Sequence, residues 1–154
     1  MSDWNSQIIT EFRTHNGHVE TAGFGDRLLL LHTVGARSGA DRVTPVMGLP
    51  ASDGWYVAAS KAGAPDEPAW AHNLRAHPET HVEVPPAGDS DAGIADVEVV
   101  SRELTGDLRD NAWDLFKAAA PGFGEYERKT DRVIAVFHLV RADGVSYEDA
   151  SPEA

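Results

Sequence analysis

The pattern of hydrophobic and polar positions predicts a helix at the start of the chain, followed by a loop. Ser2 or Asp3 can cap this helix, since both residue types accept hydrogen bonds from the first backbone amides of a helix. Four apolar side chains then fall on one helical face: Trp4, Ile8, Ile9 and Phe12. Glycines interrupt the pattern at positions 17, 23 and 25. We therefore expect residues 1–26 to form an N-terminal helix and loop.

Three strand-like runs follow, rich in aliphatic and β-branched residues. They cover residues 27–33, 42–49 and 55–60, with glycine-containing turns at 35–39 and 50–54. A parallel crossover needs a dozen or more residues, and these links are much shorter. The three strands are therefore predicted to pair antiparallel.

A helix is predicted next, because Asp66 and Pro68 are typical of a helix start and Pro78 of a helix end. Trp70 and Leu74 share one face of it. The remaining predicted elements are strands at 81–84, 95–100 and 133–140, a turn or loop at 85–93, and a helix from Thr105 that Pro121 interrupts. The whole chain, 1–154, then forms one domain with a frayed acidic tail at 142–154. Short-linked strands with a few peripheral helices predict an α+β fold built on a small antiparallel barrel or sheet.

Two nucleotide-binding folds do not fit the glycine spacing. Neither Gly23-Phe-Gly25 nor Gly35-Ala-Arg-Ser-Gly39 completes the pattern G-x-G-x-x-G. The second turn also leads into a strand, where a Rossmann fingerprint or a P-loop requires a helix. Both folds are therefore disfavoured.

Composition narrows the class of partner. The chain of 154 residues has a formal net charge of -12 and a pI near 4.8, so it repels nucleic-acid phosphates and anionic lipids at long range. It has no cysteine, which excludes disulfides and thiolate metal sites. No apolar run approaches the roughly 20 residues that span a bilayer. We expect a cytoplasmic protein without membrane insertion that acts on small molecules.

Against this acidic background, one region carries net positive charge. Residues 27–61 contain four basic and two acidic side chains: Arg27, Arg37, Arg42, Lys61, Asp41 and Asp53. The turn adds the hydroxyl of Ser38 and backbone amides freed by Gly39, and such donors suit phosphate or carboxylate oxygens. Ser60 and Lys61 follow the third strand. The region is interpreted as an anion site, with an exposed hairpin kept soluble by its arginines as the alternative.

The sequence offers little support for a metal site or for a serine hydrolase. The seven histidines do not cluster with carboxylates at metal-ligand spacing, so a metal site is not predicted. The nucleophile motif G-x-S-x-G is absent. Trp70 with Leu74 is more typical of a core than of a cofactor contact. Residues 121–126 contain two aromatic residues and two glycines, which is typical of a helix-to-helix turn, with a lid over a pocket as the alternative.

Several motifs in order resemble the deazaflavin-dependent nitroreductase family, which uses coenzyme F420. The resemblance runs from Trp4 to about Val140. Its most specific segments are 28–42, Thr44-Pro45, 58–64, 68–74 and 130–134. It implies an antiparallel split β-barrel of the FMN-binding type and hydride transfer from reduced F420 to a quinone, an enone or a nitro compound.

The resemblance also implies roles for particular residues. The turn and the adjacent strand hold the anionic tail of F420, the Ser-Lys pair borders the deazaflavin, and the tryptophan helix packs beside it. The implied cofactor-binding residues are Arg37, Ser38, Gly39, Arg42, Thr44, Pro45, Ser60, Lys61 and Trp70. The implied substrate pocket contains Met47, Phe123 and Tyr126. Tyr126 and Ser60 are the candidate catalytic donors to a substrate oxygen.

Four positions depart from the family pattern. Ala36 replaces a basic residue, Gly48 and Ala71 stand where aromatic residues are frequent, and Ala120 replaces a tyrosine. Loss of aromatic wall is expected to widen the pocket and to favour quinones over bulky nitro compounds. Two alternatives remain open at this stage: a split barrel that binds FMN, and a carrier that binds the deazaflavin without catalysis.

Overall fold

The computed structural model describes residues 3–86 and 93–142. The helices in this part of the chain are α1 (Asp3–Thr14), α2 (Ala69–Ala76), α3 (Gly106–Ala119) and α4 (Gly122–Lys129). The strands are β1 (Leu28–Val34), β2 (Asp41–Met47), β3 (Leu49–Ala51), β4 (Gly54–Ala58), β5 (Glu79–Val84), β6 (Ala95–Glu103) and β7 (Val136–Arg141). Two short 3-10 turns, Thr21–Gly23 and Lys61–Gly63, complete the regular structure.

The seven strands form one antiparallel sheet in the order β2-β1-β5-β6-β7-β4-β3. The two edge strands, β2 and β3, follow one another in the chain, so the sheet curls until its ends approach, and β2 also contacts β4. Helices lie at the periphery of this half-barrel. The predicted α+β split barrel with antiparallel strands is therefore confirmed.

The predicted strand at 42–49 is wrong in one respect, because it is two strands. Gly48 separates β2 from β3, and only β2 pairs with β1, whereas β3 pairs with β4. A side chain at Gly48 would lie 2.4 Å from the Cδ2 atom of Leu29. The Gly48 amide donates to the Arg27 carbonyl at 2.9 Å. The chain therefore passes close to β1 here and then leaves for the other edge.

Alternation along β1 explains how both faces of the sheet become covered. Leu29 and Leu31 point into the barrel, where they pack with the side chains of α2. Leu28 and Leu30 point outward and pack under α1 against Ile8 and its neighbours. All four leucines are buried. The first helix is thus a cover for the outer face of β1.

Two predictions for the helices need correction. Asp66 does not cap α2, which begins at Ala69 after Pro68 and has no side-chain cap. The segment predicted as a turn at 121–126 lies in α4 instead, because Phe123 is buried against Trp113 and Phe116 of α3. These contacts outweigh the low helix propensity of two glycines.

Other predicted ends of helices and strands differ from the observed ends by a few residues, or lie outside the residues that the structure describes. The last strand starts at Val136 rather than at 133, and the residues directly before it form a loop. The helix predicted from Thr105 begins at Gly106, without a side-chain cap. The helix end at Pro78 and the burial of Trp70 and Leu74 are confirmed. Ser2, most of the 85–93 loop and most of the acidic tail lie outside the described residues.

Candidate functional site

A cleft of about 730 Å³ opens between the turn that joins β1 to β2 and the first half of α2. Its lining residues are Thr33, Gly35, Ala36, Arg37, Ser38, Arg42, Thr44, Ala69, Trp70, His72 and Asn73. This lining contains two arginines and no carboxylate. A volume of this size lies within the range of small-molecule and cofactor sites. We call it the cationic cleft.

Local hydrogen bonds shape the turn from Gly35 to Ala40. Gly35 donates its amide to the Ala40 carbonyl at 2.8 Å, and Gly39 donates to the Gly35 carbonyl at 3.0 Å. The Ser38 hydroxyl accepts from the Ala40 amide at 3.1 Å. Gly39 has φ of +71°, and a Cβ on Gly35 would lie 2.5 Å from the Ser38 Oγ atom. This tight turn therefore favours glycine at positions 35 and 39.

The two arginines of the cationic cleft differ from most basic side chains of the protein. Arg37 and Arg42 are exposed, and neither forms an ion pair or a hydrogen bond with the described residues. By contrast, Arg13, Arg75 and other basic residues each bind a carboxylate. In a chain with net charge -12, two unpaired guanidinium groups at one cleft are a strong feature for anion binding.

The opposite wall of the cleft is α2, which is held rigidly. Trp70 is buried and contacts the ring of Phe137 edge-on, with ring centroids 5.8 Å apart. Arg75 joins the helix to Glu67 at 2.7 Å and to Glu103 on β6 at 2.8 Å. The hydrogen bond from Arg75 lowers the pKa of Glu67 below its usual range. The predicted neighbour of the cofactor, Trp70, therefore sits on a fixed wall.

Asn73 is a residue of the cleft for which the sequence predicts no role, although it lies in the segment 68–74. Its Oδ1 atom accepts from the Ala36 amide at 2.9 Å, and its Nδ2 atom donates to the Thr33 hydroxyl at 3.2 Å. The side chain is buried. Its place five residues before the helix-ending proline does not show what the side chain binds, so only the fold reveals this link between α2 and the turn.

The loop that carries Ser60 and Lys61 is not part of the cationic cleft lining. Arg132 donates to the carbonyls of Ala59, Ser60 and Ala64, each at 3.0 Å. Lys61 donates to Asp66 at 3.2 Å, and this bond lowers the pKa of the Asp66 carboxyl. The side chain that was predicted to cap α2 is thus the ion-pair partner of Lys61.

The predicted substrate-pocket residues lie together in one apolar cluster. Phe123 is buried in it, and Met47 and Tyr126 pack against it. The Tyr126 ring meets Phe123 edge-on at 5.5 Å. The Tyr126 hydroxyl forms no hydrogen bond with the described residues. This cluster places an available phenol beside an apolar surface.

The remaining candidates have other surroundings. Pro45 is half-buried on β2 opposite Leu30 and does not line the cleft. Gly48 borders a separate groove beside Trp55, and Ala71 is fully buried in the core. Neither residue lines the cationic cleft, so the expectation that Gly48 and Ala71 enlarge the substrate pocket stays a prediction.

Two further properties concern the described residues as a set. No group of three or more histidine, aspartate or glutamate side chains among them could hold a metal ion. The helices of residues 3–86 and 93–142 include none with the length and apolar character of a membrane span.

The seven-stranded half-barrel defines a split-barrel protein, and two arginines that are unpaired among the described residues line its cationic cleft. A family model described as F420H(2)-dependent quinone reductase matches residues 5–141. The chain therefore belongs to the F420H(2)-dependent quinone reductase family. The resemblance drawn from the sequence is confirmed at this level, with a quinone as the acceptor in the family's description.

Individual relatives agree with this assignment. An F420H(2)-dependent quinone reductase of Mycobacterium tuberculosis (strain ATCC 25618 / H37Rv) is 41% identical over 58 residues, which cover 38% of this chain. The match spans 39% of that relative's length. Among solved structures, an F420-H2 dependent reductase is 35% identical with a TM-score of 0.61, and covers 73% of this chain and 93% of its own.

A second solved chain, described as a domain-swapped dimer, is 33% identical with a TM-score of 0.64, and covers 87% of this chain and 92% of its own. The haem storage protein HutZ from Vibrio cholerae is 16% identical with a TM-score of 0.58, over 86% of this chain and 87% of its own. At that identity the likeness concerns the fold alone.

Proposed function

We propose that this protein binds coenzyme F420 through the cationic cleft and uses its reduced form to reduce a quinone. The observation that carries the proposal is the pair of arginines, Arg37 and Arg42, which lack carboxylate partners among the described residues and face one cleft. Family membership supplies the identity of the cofactor and the kind of acceptor. The activity named for the relatives is proposed here for this chain as well.

The residues present fit the chemistry of the cofactor. F420 combines a flat deazaflavin with a tail of phosphate and carboxylate groups, and guanidinium forks bind such oxygens with charge-assisted hydrogen bonds. Arg37 and Arg42 would hold the tail, with Ser38 as a hydroxyl donor. Gly39 and Thr44 shape the same cleft, and Pro45 supports β2 behind it.

The ring end of the cofactor is assigned to Trp70 and to the loop of Ser60 and Lys61. Trp70 offers an apolar wall fixed by the core. When bound, the reduced deazaflavin supplies a hydride to an electron-poor acceptor. The protein then contributes placement, exclusion of water and a hydrogen-bond donor.

That donor is assigned to the hydroxyl of Tyr126, with Ser60 as the second candidate. Met47 and Phe123 give the acceptor an apolar surface, and the phenol can donate to an acceptor oxygen as negative charge develops. Tyr126→Phe is expected to lower turnover while the affinity for F420 stays constant. Positioned acids contribute roughly 10²–10⁴-fold, and less where water replaces them. Full turnover in both Tyr126→Phe and Ser60→Ala would show that solvent delivers the proton.

Enones and activated nitro compounds are proposed as slower acceptors. Ala120 packs against the apolar cluster that contains Phe123 and Tyr126, so it best supports the weaker stacking expected for bulky nitro compounds. Specificity constants for a quinone and a nitro compound, measured with the same F420H2, test this order. A nitro compound reduced more efficiently than the quinone would contradict it.

The direct test is a titration of the purified protein with F420 and, separately, with FMN, followed by addition of a quinone to the F420H2 complex. Micromolar or tighter binding of F420 and oxidation of F420H2 by the quinone support the proposal. Preference for FMN would identify an FMN-dependent oxidoreductase. Binding of F420 without turnover on any acceptor would identify a carrier. A cytoplasmic place of action remains a prediction.

A further inference from the structure

We propose that Asn73 is a positioning residue that presents both arginines of the cationic cleft to the anionic part of the ligand. The inference rests on the proposed function and deepens it. Asn73 is on α2, the wall opposite the arginines, and it contacts neither guanidinium. Its two side-chain hydrogen bonds instead reach the backbone and side chain of the strand and turn that carry them.

The two bonds fall next to the two arginines. The Oδ1 atom holds the amide of Ala36, which directly precedes Arg37. The Nδ2 atom holds the hydroxyl of Thr33, which is paired with Arg42 across β1 and β2. One carboxamide therefore fixes a point next to the backbone of each arginine. An asparagine suits this task because its carboxamide presents an acceptor and a donor side by side.

Burial makes these bonds effective. Thr33 is 2% exposed and Asn73 is 7% exposed, so the bond between them is buried, and the bond from the Ala36 amide to Asn73 is partly buried. A hydrogen bond in such surroundings is strong, and a lost partner leaves an unsatisfied polar group. The turn thus has one favoured placement relative to α2.

The helix itself does not depend on Asn73 for its own position. Leu74 and Trp70 are buried in the barrel core, and Arg75 binds Glu67 and Glu103. Removal of the Asn73 carboxamide should therefore release the turn and leave α2 in place. This separation distinguishes a positioning role from a general contribution to folding.

The test compares Asn73→Ala, Arg37→Ala and the double variant in titrations with F420. If only about one tenth of the variant molecules hold the turn in its binding geometry, the dissociation constant rises about tenfold. The effects of Asn73→Ala and Arg37→Ala should be non-additive, because Asn73 acts through the placement of Arg37. Additive effects, or an unchanged dissociation constant in Asn73→Ala, would overturn the proposal.

Two further variants guard against a folding defect. Thr33→Val keeps the shape of the side chain and removes one of the two bonds, so it should weaken F420 binding less than Asn73→Ala does. Arg75→Ala removes two ion pairs, with Glu67 and Glu103, from the same helix and should lower Tm while F420 affinity is unchanged. If Arg75→Ala weakens binding as much as Asn73→Ala, the effect is general loosening of α2 and the proposal fails.

A measurement on the ligand-free protein separates this inference from the proposed function. Amide hydrogen exchange should show faster exchange of the Ala36 amide in Asn73→Ala, with unchanged protection in β1. Unchanged protection of Ala36 would overturn the link to the turn even where F420 binds. Wild-type protein that fails to bind F420 would overturn the proposed function and the ligand-positioning role, while the exchange result still reports on the turn.

Discussion

Two loops of this molecule carry basic residues beside glycines, and they use those residues differently. In the turn from Gly35 to Ala40, Arg37 and the nearby Arg42 have no partner among the described residues. In the loop after β4, Lys61 binds Asp66 and Arg132 binds three backbone carbonyls. A basic residue in a glycine-rich loop is therefore available to a ligand only where the fold leaves it unpaired.

The first loop presents charged groups to the cleft, whereas the second loop holds neighbouring parts of the structure in place. The first loop is shaped by its own hydrogen bonds and by Asn73, so its guanidinium groups remain directed to the cleft. The second loop is organised by Arg132 from a distant part of the chain, and Gly63 packs so closely against Tyr126 that a Cβ would lie 2.8 Å from the Tyr126 carbonyl. The first loop provides charge, and the second fixes Ser60 relative to α4.

Charge reversal in the first loop should give the largest effect. Arg37→Glu and Arg42→Glu each remove a charge-assisted contact worth about 1.5–3 kcal/mol and add repulsion. We expect the dissociation constant for F420 to rise tenfold or more in each variant, and the salt dependence of binding to weaken. Fluorescence titration at two salt concentrations measures both. Wild-type affinity in both variants would remove the basis for the tail assignment.

The sequence predicted the location of the first loop because its determinants are local. Glycine spacing, the arginines and the strand-like flanks are all visible within residues 28–42. The sequence did not show which basic residues bind other groups of the protein and which stay unpaired, because this depends on contacts between distant segments. Arg132 reaches carbonyls about 70 positions away, and Asn73 reaches Ala36 across 37.

The same reasoning explains the errors in the fold. The run 42–49 has continuous strand character, and the break at Gly48 arises from close packing against Leu29 on a neighbouring strand. Asp66 followed by a proline is typical of a helix start, yet its carboxylate pairs with Lys61 because α2 begins three residues later. In α4, burial of Phe123 compensates for two glycines. Tertiary contacts decided the first and third of these cases, and a local ion pair between residues five positions apart accompanies the second.

The second largest effect is expected for the loop after β4, which carries Ser60 and Lys61. Arg132→Met removes three hydrogen bonds from a half-buried guanidinium and leaves the carbonyls of Ala59, Ser60 and Ala64 without these donors. We expect the free energy of unfolding to fall by about 2–3 kcal/mol. Urea denaturation measures it. Arg128→Met is the matched control, because Arg128 forms an exposed ion pair with Glu125 and should change stability very little.

A smaller effect on stability is expected for Arg75, a basic residue of the cleft helix that is fully paired. Arg75→Ala should cost about 1 kcal/mol at neutral pH and leave F420 affinity unchanged. The lowered pKa of Glu67 means that this pair stabilises the protein above the ordinary value of 4.5 and that the contribution is lost as pH falls through the folded-state pKa. The difference in unfolding free energy between wild type and variant should therefore shrink on acidification. A difference that grows at acid pH would contradict the pairing.

The smallest effect is expected for Lys61. It tests whether a paired basic residue contributes less to ligand binding than an unpaired one. Because its ammonium group is already bound to Asp66 at 3.2 Å, Lys61→Ala should raise the dissociation constant for F420 only about twofold, as typical of exposed ion pairs. Asp66→Asn leaves the ammonium group unpaired and should tighten binding slightly. Titrations of both variants beside Arg37→Ala measure the contrast. A loss in Lys61→Ala as large as that in Arg37→Ala would mean that the ion pair with Asp66 opens when F420 binds, and that both loops supply charge to the ligand.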